Sequence, residues 1–258
     1  MNTKKSRKKR IIGMTILIVA VSLCTFKIAT FLPTVGDHNT PANTYISQYY
    51  ITNSVKDTHS LNIVTAVLAD YRGFDTLFET CVMFLSGITA MMVLSTKDRI
   101  NKKNEINPDK INIFESDIMD SAFRFVIPIV LIYGVYVLFH GEISLGGGFQ
   151  AGALLACAYL LERIIPGVRF FINILEDVPL IFAGLGTFLY LFTGLLPMFN
   201  GGNFLEYGKL PFGPQTAENI AHLHTTGITM IEIGVTICVM SVIISILDVV
   251  LERTDFDD

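Results

Sequence analysis

Charge is what this sequence of 258 residues has least of. Charged residues make up 16 % of it and hydrophobic residues 51 %, with a mean hydropathy of +0.53. A soluble domain carries about 25 % charged residues, so most soluble enzyme classes are excluded. The balance of 19 Lys and Arg against 23 Asp and Glu leaves a net charge of −4, a weak acidity that says little about nucleic acid. Cysteine is equally sparse. Cys24, Cys81, Cys157 and Cys238 all lie inside apolar blocks with no CxxC pair, so neither a disulfide framework nor a zinc site follows. Internal repeats are also missing. An inverted-repeat transporter would show matched broken helices in two halves, and the sequence shows none.

What the sequence does have is apolar residues in blocks of about 17 to 28, the length needed to cross a bilayer. Six spans are expected, over residues 11–32, 75–94, 123–139, 148–165, 179–199 and 225–251. Each is expected to be a helix, because lipid offers no partner to free backbone groups. The fold class is therefore an all-α integral membrane protein of about six transmembrane helices. The first block follows six basic residues but exceeds a signal-peptide core of about 7–15 residues and precedes no A-x-A site. It reads as an anchor.

Basic residues set the orientation. With the N-terminus in the cytoplasm, fifteen Lys and Arg fall on the inner side and only Lys56, Arg72 and Lys209 on the outer. Both termini are therefore expected to be cytoplasmic. His38, His59, His140, His222 and His224 then lie on or near the outer side. They are scattered over three loops, which suits chance placement better than a metal cluster, and no metal site is expected. Residues 33–60, rich in Thr, Asn, Ser and Tyr, read as an irregular outer loop. The polar stretch 95–120 reads as a cytoplasmic linker between a two-span unit, 1–94, and a four-span unit, 121–258.

Three stretches carry residues able to do chemistry. In the first, Arg72, Asp75 and Glu79 share one helix face at the outer end of the second span. Asp75 lies in the first turn, where the helix dipole favours a carboxylate. Arg72 and Asp75 have a plain reading as the pin of a helix end. Glu79 lies one turn deeper, where ionisation is expensive and a bound cation or an intersubunit partner is expected. The second stretch holds Gly146, Gly147 and Gly148 just before the fourth span. Gly148, Gly152 and Ala156 recur every four residues, which is a face for close helix packing. A phosphate loop would need a Lys-Ser or Lys-Thr after the glycines, and none follows.

The third stretch is His222-Leu-His-Thr-Thr-Gly-Ile-Thr-Met-Ile-Glu232. On a helix, His222, Thr226, Thr229 and Glu232 fall on one stripe, with Thr236 below. Glu232 lies ten residues beyond His222, roughly 15 Å along a helix axis. That depth is near the middle of an apolar layer about 30 Å thick. Two readings stand side by side. Glu232 either takes part in ion movement, with His222, His224, Thr226 and Thr229 above it, or pairs with a neighbouring polar group while the threonines bond back to their own helix. Asp248, near the cytoplasmic end, is expected to be solvated.

The run Val-Thr-Ala-Val-Leu-Ala-Asp-Tyr-Arg-Gly-Phe-Asp-Thr-Leu-Phe-Glu, ending at Glu79, resembles a segment near the C-terminal end of the large A subunit of Mrp-type multisubunit cation/proton antiporters. The E subunit of energy-converting membrane-bound hydrogenases carries a similar segment. Gly-Gly-Gly-Phe-Gln-Ala-Gly, ending at Gly152, resembles the Pro-Gly-Gly-Gly-Phe-x-x-Gly signature of the antiporter B subunit. His224-Thr225-Thr226 followed by Glu232-Ile233-Gly234-Val235 is similar to a further B-subunit run. Leu145 stands where that family has proline, Glu142 where histidine is common, and Glu232 where aspartate is usual.

The resemblance implies an accessory subunit, E-like then B-like, in an Mrp-type antiporter module of the cell membrane. Such a module exchanges sodium for protons, either alone or within a ferredoxin-linked hydrogenase-type complex. It implies other antiporter subunits, hydrogenase-like redox subunits and the lipid bilayer as partners, and no nucleic acid. The chain has no cysteine cluster, nucleotide motif or haem pair, so no cofactor and no electron carrier of its own are expected. Sodium ion and proton are the species to be moved. The alternative is a structural scaffold that moves no ion.

Overall fold

The protein is described by a computed structural model over residues 2–34, 36–94, 117–164 and 178–254. The expected linker core, 95–116, and Arg169 lie outside the described residues. Among those described there is helix and turn, and no β-strand. Five helices are long and apolar enough to cross a membrane. The chain divides into two compact units, 1–49 and 50–258.

In the first unit, α1 (Asn2–Ala29) runs through the basic opening and the apolar block as one helix. Its residues from Ile12 onward are exposed. The expected loop at 33–60 is only partly a loop. A five-residue π-turn, Ala42–Ile46, leads into α2, Ser47–Thr58. Serine, threonine and asparagine are weak helix formers, which is why composition alone hid this helix.

The second unit is built around α7 (Ala217–Thr254), a helix of 38 residues. At about 1.5 Å per residue it extends well beyond an apolar layer of about 30 Å. It begins eight residues before the expected span. Apolar composition locates the lipid layer, whereas backbone hydrogen bonding locates the helix, and the two need not coincide. Packed against α7 are α5 (Gly148–Ile164), α6 (Val178–Leu195) and α3 (Gly73–Leu94), while α4 (Asp117–His140) lies on α5. Helix α3, placed with the N-terminal unit from sequence, thus belongs spatially to the C-terminal bundle.

Small residues let these helices approach. A Cβ built at Gly186 of α6 would lie 2.5 Å from the Gly234 carbonyl oxygen of α7. One at Gly152 of α5 would lie 2.9 Å from Val239 Cβ, and one at Gly148 would lie 2.5 Å from the Glu232 carbonyl oxygen. Without a hydrophobic force between helices in lipid, such close van der Waals contact carries the association. Asp248, expected to be solvated, instead accepts from the Tyr159 hydroxyl at 3.1 Å and pairs with Arg163 at 3.4 Å, joining α7 to α5.

Ahead of α3 the backbone breaks. Ile63–Thr65 is α-helical, with Asn62 as N-cap accepting from the Val64 N–H, and Ala66–Tyr71 is π-helical. At Arg72 the chain turns before α3 restarts. Three hydroxyls satisfy carbonyls here. Thr76 donates to Leu68 at 2.7 Å, Tyr207 to Ala69 at 2.9 Å and Tyr190 to Gly73 at 2.8 Å. Both tyrosines are fully buried. A buried carbonyl left without a donor would cost about 1–3 kcal/mol, so these bonds hold the break in place.

Candidate functional site

The site lies where this break meets α7 and the turn between α4 and α5. A cavity of about 130 Å3 opens there. Glu232, Thr65, Thr76, Gln150 and Tyr190 bring polar groups to its lining, among apolar residues such as Val235. Liquid water occupies about 30 Å3 per molecule, so the space suits a few waters or a partly hydrated cation. Glu232 is only 9 % exposed. Among the described residues none donates a hydrogen bond to its carboxyl. A Cβ at Gly147 would stand 3.5 Å from its Oε1, so the carboxyl faces the glycine run. Gly147 itself has φ +137°, a backbone conformation that glycine adopts without strain.

The turn 141–147 is pinned from the broken segment. Asn62 Nδ2 donates to the carbonyls of Gly141, at 2.7 Å, and Ser144, at 2.6 Å. Thr65 donates to Gly141 at 2.6 Å. The Asn62 N–H and the Ser60 hydroxyl both reach the Glu142 carbonyl, at 3.0 and 3.2 Å. Gly146 packs on the turn itself, where a Cβ would lie 2.5 Å from the Val137 carbonyl oxygen. The glycines predicted for packing therefore do two jobs. Gly148 and Gly152 let α5 approach α7, whereas Gly146 and Gly147 shape the cavity wall.

The threonine stripe is engaged rather than free. Thr229 donates to Glu142 Oε1 at 2.9 Å and lies 2.8 Å from its own-helix Thr225 carbonyl. Thr225 also bonds the Glu142 carboxyl. Thr226 is exposed and donates to the His222 carbonyl at 2.7 Å. Thr236 reaches the Gly148 carbonyl at 3.2 Å. Burial pushes the Glu142 carboxyl above its ordinary value, and the two threonine hydroxyls offset part of that rise.

The remaining predicted residues fall elsewhere. His224 Nδ1 lies 2.8 Å from Asp70 Oδ2, with both side chains largely buried. The Tyr207 and His59 rings stand edge-on to it. His222 is exposed. Asp75 pairs with Arg72 at the start of α3, the plain helix-end arrangement. Glu79 is exposed on α3 and does not line the cavity. Among the described residues no group of three or more His, Cys, Asp or Glu side chains is placed to hold a metal ion. Sequence reasoning missed Asn62, Asp70 and the structural importance of Glu142. Their partners lie 79 to 154 positions away along the chain, beyond any periodic pattern.

Comparison with known proteins bears on this arrangement. Residues 118–245 match the family described as a domain related to the MnhB subunit of the Na+/H+ antiporter. The antiporter protein designated mnhB2 of Staphylococcus epidermidis is 32 % identical over 142 residues, covering 52 % of this chain and 93 % of that protein. The chain belongs to the MnhB-related family. Residues 11–106 match the family described as the E subunit of MBH, so an E-type segment precedes the MnhB-type domain in one chain. A Rhizobium meliloti protein designated as the A/B subunit of a K+/H+ antiporter is 24 % identical over 216 residues. That match covers 76 % of this chain but only 22 % of the Rhizobium protein.

Two solved structures share the fold. A chain of the membrane-bound sulfane sulfur reductase, an archaeal respiratory membrane complex, aligns with a TM-score of 0.60 at 23 % identity. The alignment covers 93 % of this chain and 98 % of that one. A chain of the Mrp complex from Dietzia sp. DQ12-45-1b aligns with a TM-score of 0.57 at 19 % identity, covering 93 % of this chain and 26 % of that one. The fold is that of an all-α, multi-pass membrane protein.

Proposed function

We propose that this chain is a membrane accessory subunit of an Mrp-type cation/proton antiporter module in the cell membrane, and that Glu232 lies on its ion path. The observation that carries the reading is the Glu232 carboxyl. It is nine-tenths buried, without a hydrogen-bond donor among the described residues, and it faces a cavity large enough for water. A charge near the centre of a bilayer costs about 2.5–3.5 kcal/mol on insertion scales. A proton or a cation in exchange would offset that cost. The MnhB-type and E-type matches support the assignment.

The proposed topology has six spans and cytoplasmic termini, with α5 as a short span of 17 residues. Other antiporter subunits are the expected partners, and redox subunits are a second class suggested by the respiratory complex of similar fold. The moved cation is sodium or another alkali ion, since the relatives' designations include both Na+ and K+. The test is Glu232→Gln in the assembled complex, reconstituted into vesicles. Cation-dependent proton flux should fall at least tenfold with subunit content unchanged. Undiminished flux would refute the ion-path role and leave a scaffold.

A further inference from the structure

The turn between α4 and α5 presents one carboxyl to the stripe of α7 that leads to Glu232. Glu142 accepts hydrogen bonds from Thr229 and Thr225 of that helix, and Thr229 stands one turn from Glu232, a rise of about 4.5 Å. Glu142, bonded to Thr229, thus meets α7 about one helical turn from Glu232. Their settings differ. Glu142 is half-buried at the edge of the bundle, whereas Glu232 is nine-tenths buried and aimed into the cavity. The carbonyl of residue 142 accepts from both the Asn62 N–H and the Ser60 hydroxyl, which anchors the turn. The Thr225 and Thr229 hydroxyls then hold the carboxyl.

Building on the Glu232 reading, we propose that Glu142 is a second titrating station of the same site and exchanges protons between the edge of the bundle and Glu232. In the inward step the Glu142 carboxyl gives up its proton and the Glu232 carboxylate, which lines the cavity, takes it, with water between the two acids as the bridge. Glu142 is left as a carboxylate, held by the Thr225 and Thr229 hydroxyls, and regains a proton from water at the edge. One proton moves and charge is conserved. Two acids this close in a poorly solvated site do not both ionise readily, so ionising one favours keeping the proton on the other. That coupling keeps one proton on the pair, and the proton gradient across the membrane sets the direction of the hand-over.

Few other groups compete for the proton. From α7 the facing titratable group is Glu232, since His224 is engaged with Asp70 and His222 is exposed. From α4, His140 stacks on Tyr136 with ring centroids 4.7 Å apart. The segment against the turn contributes Ser60, Asn62 and Thr65, which do not titrate in the working range.

The experiment measures cation-dependent proton flux against pH in vesicles holding the assembled complex with Glu142→Gln, Glu142→His, Thr229→Val or Glu232→Gln. Glu142→Gln should slow flux about tenfold and flatten its pH dependence. Glu142→His restores a titrating group with an ordinary pKa of about 6.5; it should recover flux with a displaced pH profile, which a merely structural role would not produce. Thr229→Val keeps the side-chain shape and should displace the profile without loss of subunit. Wild-type flux and profile in an assembled Glu142→Gln complex would overturn the proposal. Should that variant fail to assemble, an unchanged profile in Thr229→Val would overturn it equally. If Glu232→Gln abolishes flux while Glu142→Gln does not, this inference alone fails. If Glu232→Gln is silent, the underlying reading fails first.

Discussion

Two glycines on α6, two positions apart, should respond in opposite ways to the same substitution. A Cβ at Gly184 would meet Phe84 Cζ at 3.4 Å, an ordinary contact with the end of a movable ring. At Gly186 the same atom would lie 2.5 Å from the Gly234 carbonyl oxygen and 2.6 Å from the Cys238 nitrogen. Both of those atoms are backbone of α7 and cannot swing away. Even a favourable carbon–oxygen contact needs about 3.3 Å, so Gly186→Ala must open the seam by about 0.8 Å. A gap of that size forfeits roughly a quarter to a half of each van der Waals well. Helix α6 buries Pro179, Ala183, Gly186, Thr187, Tyr190, Thr193 and Gly194. At about ten inter-helix atom pairs apiece and about 0.1–0.2 kcal/mol per pair, the loss is about 2–7 kcal/mol. Gly184→Ala should cost less than about 0.5 kcal/mol, as surface changes do. The assay is retention of the subunit in the detergent-purified complex after graded heating, read by size exclusion. Gly184→Ala should follow wild type, and Gly186→Ala should be lost many degrees earlier. Equal retention of the two would refute the argument that backbone contact between α6 and α7 sets the stability of the bundle.

Gly152→Leu on α5 should act in the same way, because its Cβ already meets Val239 and the Thr236 carbonyl. Copurification in normal amount would count against the packing reading. The Asp70–His224 pair joins the E-type segment to the MnhB-type domain. Asp70→Asn and His224→Gln should each lower thermal stability, and the double variant should show a coupling of about 1–2 kcal/mol; strict additivity would mean the contact is idle. For topology, single cysteines placed at 101–105 in a cysteine-free background should resist an impermeant thiol reagent in intact cells. A cysteine at Asn203 should react, and the reverse pattern would invert the proposed orientation.

The sequence by itself determined that the chain crosses a membrane as an all-α protein and that Gly148 and Gly152 lie on one small-residue face of a helix. Those properties are local: block length, composition and a four-residue period on one helix face are written in consecutive residues. It also singled out Glu232 on α7, because an acid inside an apolar run stands out wherever it occurs. The tertiary structure alone decided what surrounds that acid. Asn62 and Ser60 reach across to the turn that holds Glu142, and two buried tyrosines satisfy the carbonyls of a break that no periodicity announces. Asp75 and Glu79 share a helix face with Arg72 in the sequence, yet in the fold that face is turned away from the cavity. Spacing along a helix fixes which residues lie together on a face. Only the packing of neighbouring helices fixes whether that face meets the cavity or the outside of the bundle.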